Sequence, residues 1–405
     1  MSRVALGLVL VGTLLLASPA AAVICTIDAV PAATLLLPYF EVNLDNPNAE
    51  TTLFTIANAA AAATLVKVTL WTDLGVPTLG FNVYLTGYGA QSMNLRDILV
   101  NGLLPLTADA AEDPTGKISP KGPLSQDTTF PGCAGVLPPP RLPSIFTSHL
   151  AAAHTGRAST LLGGKCAGVN HGDAIARGYV TVDVVHSCNI DFPTDPGYYG
   201  PGGLGTENVL WGDTFYVDSR LSYARGGNLV RIEAAPAAFK PGDRTFYGTF
   251  VNHSAADARE PLPTTWASRF LAGGPFDAGS YLVVWREPQT VPAPFPCGSP
   301  ALTGGFPLAV RAGVVFDEQE HPEVAPATAM PPAPWAANRI QVNGTAFPVA
   351  YNFGWYIASF DAAPPSGTGS RQSWLGTEMS AHRKISVTLA GSPLDSGCGA
   401  VAPVP

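Results

Sequence analysis

Residues 51–99 read TTLFTIANAAAAATLVKVTLWTDLGVPTLGFNVYLTGYGAQSMNLRDIL and contain four runs with the residue pattern of β-strands. In VKVTLW, residues 66–71, aliphatic residues alternate with Lys, Thr and Trp, and FNVYLT at 81–86 repeats this alternation. A period of two places successive side chains on opposite faces of a sheet. β-branched and aromatic residues also suit a pleated, half-buried surface. The stretch therefore predicts a four-stranded antiparallel meander.

The alanine run at residues 59–63 is the one part of this stretch that also suits a helix. Alanine has the highest helix propensity, but an isolated helix of this length is marginal in water. Turn-forming residues follow at 73–75 (DLG) and 87–89 (GYG). We therefore predict that the alanines connect two antiparallel strands.

The order of these motifs resembles a known class of module. Over about residues 50–97 the chain has T-x-x-F-T-I-x-N, then V-x-V-T-L-W-T-D-x-G, then F-x-V-x-L and N-L. This resembles the Ig-like or fibronectin-like β-sandwich modules of secreted bacterial proteins. The resemblance implies a sandwich fold and a role in adhesion, binding or spacing. It implies no functional residues.

Strand-like runs continue along the rest of the chain, separated by segments rich in Pro and Gly. They lie at 35–42, 178–186, 209–217, 228–233, 246–252, 264–271, 281–286, 308–316, 339–342, 355–360 and 384–389. Pro38 cannot donate to a ladder, which predicts that the run at 35–42 is an edge strand. PSIFTSHLAAAH at 143–154 predicts a helix, because Pro suits the first turn. The pattern predicts an all-β fold of two antiparallel β-sandwich units, Ig-like or jelly-roll-like, with long Pro/Gly-rich loops and one or two short helices.

The composition along the chain predicts a division into three segments. Residues 1–22 have the basic start, apolar centre and small-residue end of a signal peptide. Residues 23–235 are predicted to form an N-terminal β-sandwich, with a loop and helix insertion at about 102–164. Residues 236–405 are predicted to form a C-terminal β-sandwich, because one core rarely grows beyond about 300 residues.

A weak internal sequence similarity links these two units. LFTIANAAAAA (53–63) followed by VTLWTD (68–73) resembles FYGTFVNHSAAD (246–257) followed by LVVWRE (282–287). Two interpretations stay open. The similarity either marks a duplicated sandwich unit or reflects residue patterns that recur in β-strands without a common origin.

Charge limits the partners. The net charge is −8, with 13% charged residues and no basic cluster. Nucleic acid is therefore excluded as a partner, because phosphate binding requires grouped Lys and Arg. The signal peptide predicts a secreted, periplasmic or cell-surface protein with no membrane span after cleavage. A cell-surface or extracellular polymer is the candidate partner.

The six cysteines predict three disulfides in an exported chain. They are Cys25, Cys133, Cys166, Cys188, Cys297 and Cys398. If bridges stay within the predicted domains, the pairs are Cys133–Cys166 and Cys297–Cys398, which leaves Cys25–Cys188.

Two sets of residues are candidates for ligand binding. Asp191, Asp195 and Asp213 are candidate ligands for calcium, the one cofactor that the pattern suggests, because calcium takes oxygen ligands from irregular acidic loops. The alternative is that they are turn formers beside Pro and Gly. Candidate aromatic platforms for sugars are Tyr198, Tyr199 and Trp211. The alternative is that these aromatic residues belong to a sandwich core.

The sequence leaves two functions open. The first is an exported, non-enzymatic β-sandwich protein with a structural, adhesive or ligand-binding role. The second is a secreted hydrolase or a carbohydrate-binding or carbohydrate-active protein, with its site in the loops at 102–164 and 191–213. The G-x-S-x-G motif of many serine hydrolases does not occur in the chain.

Overall fold

The computed structural model describes residues 29–105, 141–188, 190–273, 276, 279–299, 302–324, 333–345, 347–349, 351–361, 371–381 and 385–398. The described chain is mostly β, with strands in four antiparallel sheets and one α-helix. The prediction of an all-β fold is confirmed. The segment 1–22 lies outside the described residues, so the signal peptide stays a prediction.

The N-terminal half contains nine strands in two sheets. They are β1 (Thr34–Asn43), β2 (Thr51–Asn58), β3 (Thr64–Thr72), β4 (Pro77–Leu85), β5 (Ala90–Asn94), β6 (Ile175–Val185), β7 (Leu210–Asp218), β8 (Tyr223–Asn228) and β9 (Val230–Ile232). Sheet I has the order β5-β2-β7-β8, and sheet II has the order β4-β3-β6-β1-β9. Phe54 and Ile56 of sheet I pack against Leu35, Val66 and other aliphatic residues of sheet II to form one core.

The C-terminal half also contains nine strands in two sheets. They are β10 (Thr265–Leu271), β11 (Ser280–Arg286), β12 (Ala312–Asp317), β13 (Pro322–Val324), β14 (Ala337–Gln341), β15 (Phe353–Ser359), β16 (Ser373–Ala381), β17 (Ile385–Ala390) and β18 (Ser392–Pro393). Sheet III has the order β14-β11-β16-β17, and sheet IV has the order β13-β12-β15-β10-β18.

The two halves have the same topology. Counting strands from the start of each half, sheets I and III both have the order 5-2-7-8, and sheets II and IV both have the order 4-3-6-1-9. The two segments that resemble each other in sequence are not structural counterparts. Residues 246–257 form turns rather than a strand, and 282–287 fall mainly in β11, the counterpart of β2 rather than β3.

The sheets stack in the order I, II, III, IV. Across the middle, Arg339 of β14 reaches Glu41 of β1, and Trp285 of β11 packs edge-on against Tyr179 of β6. One continuous apolar cluster includes residues of sheets II, III and IV. Sheet II is therefore buried on both faces. That the halves are separate domains stays a prediction.

The predicted meander at 51–99 is wrong in its pairing. β3 and β4 form a hairpin, but β2 and β5 pair with each other in the facing sheet. The alanine run thus crosses between two sheets rather than joining neighbours in one. Alternation within a strand marks its faces but does not identify its partner.

The edge-strand prediction for residues 35–42 is also wrong. β1 lies between β6 and β9, and its pairing with β6 shifts register between Leu37 and Phe40. This irregularity contains Pro38. The missing N–H is tolerated at a bulge, where the ladder is already interrupted.

The predicted helix at 143–154 is confirmed as α1 (Ser144–His154), and Pro143 precedes its first turn. Short helical turns occur at Asp97–Asn101, Thr160–Leu162, Pro196–Tyr199 and Ser219–Leu221. Most of the predicted insertion, residues 106–140, lies outside the described residues.

The disulfide pairing differs from the prediction. Cys166 is bonded to Cys297, so both Cys133–Cys166 and Cys297–Cys398 are wrong. The bridge joins the two halves where Cys166 and Phe295 form an antiparallel β-bridge. The assumption that bridges stay within one unit fails because the halves pack together. Cys188 and Cys398 are also disulfide-bonded, whereas Cys25 and Cys133 lie outside the described residues.

Candidate functional site

The three aspartates predicted as calcium ligands are not brought together. Asp195 caps a turn by accepting the Phe192 N–H at 2.8 Å, and Asp191 lies on the same loop. Asp213 lies on β7 of sheet I. Within the described ranges no three His, Cys, Asp or Glu side chains group as a metal site.

Asp191 and Asp195 lie close enough to Lys67 to act as its counter-charges. Lys67 is buried on the second face of sheet II, and burial lowers the pKa of its ammonium to about 8, although the two carboxylates act in the opposite direction. Removing a lysine from water disfavours its charged form. These aspartates therefore compensate a buried cation.

The residues of the predicted aromatic platform are separated, because Tyr198 and Tyr199 lie in the helical turn Pro196–Tyr199 and Trp211 lies in β7 of sheet I. Tyr198 is fully buried and donates to Asp183 at 2.7 Å, and Tyr199 donates to the Pro193 carbonyl at 2.6 Å. Trp211 lies on the outer face of sheet I and is 42% exposed. The tyrosines are core residues, and Trp211 alone is accessible.

Asp183 organises a buried polar cluster between the halves. Its carboxylate also accepts from Thr34 at 2.5 Å and from Tyr247 at 2.8 Å, and Arg259 lies 3.7 Å away. Burial and the neighbouring Asp183 carboxylate raise the pKa of Tyr198 and of Tyr247 well above the ordinary value. These phenols stay neutral donors, so the cluster is structural.

The candidate site is a cleft of about 480 Å³ at the junction of sheets II and III. Its lining includes Tyr39, Tyr281 and Trp335, of which Tyr39 is only 2% exposed. Arg177 and Arg339 supply charged groups. Small-molecule sites commonly lie at junctions between packed units, and polar side chains such as His171, Asn338 and Gln341 make up about half of this lining.

A chain of alternating charges passes through this cleft at Arg177, Glu41 and Arg339 and continues beyond it. Its ion pairs are, in order, Asp173–Arg177 (2.8 Å), Arg177–Glu41 (3.7 Å), Glu41–Arg339 (3.8 Å), Arg339–Glu378 (2.9 Å), Glu378–Arg225 (3.0 Å) and Arg225–Glu50 (2.8 Å). It crosses the junction of the two halves twice. Buried ion pairs contribute more reliably to a unique arrangement than to stability.

Glu41 stays ionised at the centre of this chain. Burial would raise the pKa of its carboxyl, but Arg339, the Tyr39 hydroxyl and the other arginines outweigh burial, and the pKa is lowered. Tyr39 donates to Glu41 at 2.6 Å. A general acid needs a carboxyl that holds its proton near neutral pH. Glu41 is therefore suited to holding the arginines rather than to proton transfer.

The arginines are in turn fixed by aromatic contacts and by their carboxylates. The Arg339 guanidinium lies 3.6 Å from the centre of the Tyr281 ring, a cation–π contact. Asn338 is held by bonds to the carbonyls of Trp335 (2.7 Å) and Val284 (3.2 Å). These contacts hold the side chains of the cleft in place, and its charges are matched internally.

The loops predicted to carry a site do not converge on this cleft. α1 packs near the start of β6, where His154 contacts the Arg177 carbonyl at 3.0 Å. The loop at 191–206 packs near the end of β6, where Leu204 bridges Val185. Opposite ends of an eleven-residue strand are separated by roughly 33 Å. The described parts of these loops therefore belong to different regions.

Sequence reasoning missed the cleft because its residues come from strands far apart in the chain. The signal that was present is a charged residue inside an otherwise apolar strand, as with Glu41 in TLLLPYFEVN and Glu378 in SWLGTEMSA. Such residues are rarely buried unless they are paired. Their partners could not be read from the pattern.

Comparison with known proteins finds no matching family model, no matching curated protein and no matching solved structure. Within the described part of the chain, no helix combines the length and apolar character required to cross a bilayer.

Proposed function

We propose that this chain is an exported, non-enzymatic binding protein that holds a small, uncharged polar ligand in the cleft between its halves. A mono- or disaccharide is the ligand class that fits best. The observation that carries the proposal is the cleft itself, where the partly exposed Trp335 ring lies beside an internally neutralised set of charges. Export rests on the pattern of residues 1–22 and is supported by the disulfides.

The charge balance favours an uncharged ligand. An anion would have to displace Glu41 or Glu378 from the arginines, and a cation would have to displace the arginines themselves. Truncating one partner of a buried pair typically costs about 3–5 kcal/mol. A sugar leaves the pairs intact, places its apolar face on a ring and bonds through its hydroxyls.

Trp335 fluorescence tests the proposal, because the indole lines the cleft. Titration with a panel of neutral mono- and disaccharides should change the emission, and at least one should raise the melting temperature. Trp335→Ala should weaken that binding at least tenfold, a loss of about 1.4 kcal/mol.

Trp211→Ala is the matched control, because it removes an exposed tryptophan outside the cleft. It should leave the affinity unchanged. If no sugar in the panel binds at millimolar concentration, or if both variants weaken binding equally, the proposal is wrong.

A further inference from the structure

The stack of four sheets ends in two outer faces, and these two faces are of the same two types as the sheets that pack together inside the molecule. At one end is sheet I, of the 5-2-7-8 type, and at the other is sheet IV, of the 4-3-6-1-9 type. Inside the chain, sheet II of the second type is covered by sheet III of the first type. Sheet III is the counterpart of sheet I, and sheet II is the counterpart of sheet IV. These two counterparts already pack against each other at the centre of the molecule.

Trp374 and Trp211 make this correspondence specific. β7 (LWGDTFYVD) and β16 (SWLGTEMSA) are counterpart strands, and both have Trp second and Thr fifth. Trp374 is 9% exposed and lines a cavity with Pro38 of sheet II and with Tyr216 and residues 226–228 of sheet I, whose β8 edge also meets sheet III. Trp211 occupies the same position on the free face and is 42% exposed. The residue buried at the internal junction thus has an uncovered equivalent.

The rest of the sheet I face is flat and mixed in chemistry. Phe215 follows Trp211 on the same face and is 48% exposed, and its ring lies over Gly226, where a Cβ would come within 2.8 Å of it. Asp213 lies between the two rings. Its Oδ1 atom is buried and has no hydrogen-bond partner in the described structure.

The sheet IV face has the complementary groups. Trp355 stacks on Phe316 with ring centres 4.8 Å apart, and Phe353 on the same strand is 45% exposed. The cross-strand partner of Trp355 is Arg269, an exposed cation on the same face. Sheet IV thus presents aromatic rings with a cation, and sheet I presents aromatic rings with a carboxylate, although Asp317, Glu318 and Glu320 line the same pocket as Arg269. At the internal junction the signs are reversed, with Arg339 on sheet III and Glu41 on sheet II.

We propose that a second copy of this chain docks its sheet I on sheet IV of the first, repeating the internal junction between sheets II and III. Arg269 of one copy then pairs with Asp213 of the next, and the exposed rings are covered. The contact joins two different faces, so it is heterologous and extends into an open chain of molecules unless the rotation closes it.

The size of the face sets the expected strength. The four strands of sheet I have five to nine residues each and cover roughly 20 by 25 Å, less than the roughly 800 Å² per partner of a standard interface. We expect association in the micromolar range. The associated fraction will be largest where the exported protein is concentrated, for example on a surface.

Sedimentation velocity of the purified full chain, over micromolar to millimolar concentrations, measures this directly. The native chain should form dimers and longer species as concentration rises. Trp211→Glu blocks the sheet I face, and Arg269→Glu blocks the sheet IV face. Each variant should raise the apparent dissociation constant at least tenfold. Ile190→Glu, at an 82% exposed loop position, is the control and should associate like the native chain.

Mixing the two blocked variants gives the decisive readout. Each retains one intact face, so an equimolar mixture should form one-to-one dimers and no longer species. A monomer at every concentration overturns the proposal, as does association that neither variant reduces. Association of Arg269→Glu alone that is as tight as that of the native chain also overturns it, because it shows a symmetric contact between sheet I faces. These outcomes are independent of sugar binding in the cleft.

Discussion

His154 shows how one side chain can report on the packing around it. Its ring is buried between α1 and the sheet, with Nδ1 3.0 Å from the Arg177 carbonyl and Nε2 2.8 Å from the Thr78 hydroxyl. A carbonyl only accepts, so Nδ1 carries the proton of the neutral ring. Burial lowers the pKa of His154 to about 4.

This shift predicts a pH dependence of stability. The pKa of an unfolded histidine is about 6.5, so the contribution of His154 to the free energy of unfolding is complete above that pH. It is lost as pH falls from 6.5 towards 4, because the unfolded chain binds the proton more readily. Urea unfolding across this range should show the native chain losing about 3 kcal/mol more than His154→Gln.

His186→Gln is the control for this experiment, because the His186 side chain is half exposed. It should follow the native pH profile. Parallel profiles for the native chain and His154→Gln would mean that the proton on His154 is not linked to folding.

At the scale of the element, sheet II explains most of the differences from expectation. Lys67, Thr69 and Asp183 lie on its polar face, and all three are buried. The alternation correctly located the strands and their two faces. It could not indicate that the polar face meets loops and a second sandwich instead of water, because alternation records polarity and not the neighbour.

Gly178 shows how closely the strands of this sheet approach. It lies in β6, where an added Cβ would come 1.9 Å from the Trp71 carbonyl oxygen. Gly178→Ala should lower the free energy of unfolding by at least about 1–3 kcal/mol, the usual cost of overpacking a core. Chemical denaturation measures this loss.

Gly227→Ala is the matched control on β8, because the nearest atom to its added Cβ is 3.8 Å away. It should be nearly neutral. Equal losses at the two positions would mean that lost glycine flexibility, and not contact with Trp71, decides the effect.

At the scale of the molecule, the halves are joined by core, charge and covalent bond. The apolar cluster crosses between them, the chain of ion pairs links Arg225 to Glu378, and Cys166–Cys297 closes a long loop. The halves repeat one topology, yet their middle sheets are packed together. In the described residues the four sheets therefore form one packed stack.

The disulfide should contribute measurably to stability. It spans 131 residues, and removing a native bridge typically costs about 2–5 kcal/mol through the greater freedom of the unfolded chain. Replacing both Cys166 and Cys297 by Ser should lower the free energy of unfolding measured in urea by that amount. The native chain under non-reducing conditions is the reference, and an unchanged midpoint would contradict the expectation.

The candidate site could not be predicted to the same extent as the fold. Trp211 was identified from its sequence and is accessible, but Tyr198 and Asp191 serve the interior. The cleft depends on Glu41, Arg177 and Arg339, which lie far apart in the chain and meet only because two sheets pack face to face. No local pattern links them.

The sequence by itself determined what depends on neighbouring residues: the all-β class, the position of most strands and the helix at 144–154. These follow from side-chain alternation and backbone preference, which are local. The tertiary structure alone decided which strands share a sheet, what covers sheet II, how Cys166 pairs and where the cleft lies. Those features depend on contacts between distant residues, whose free energy exists only once the sheets have stacked.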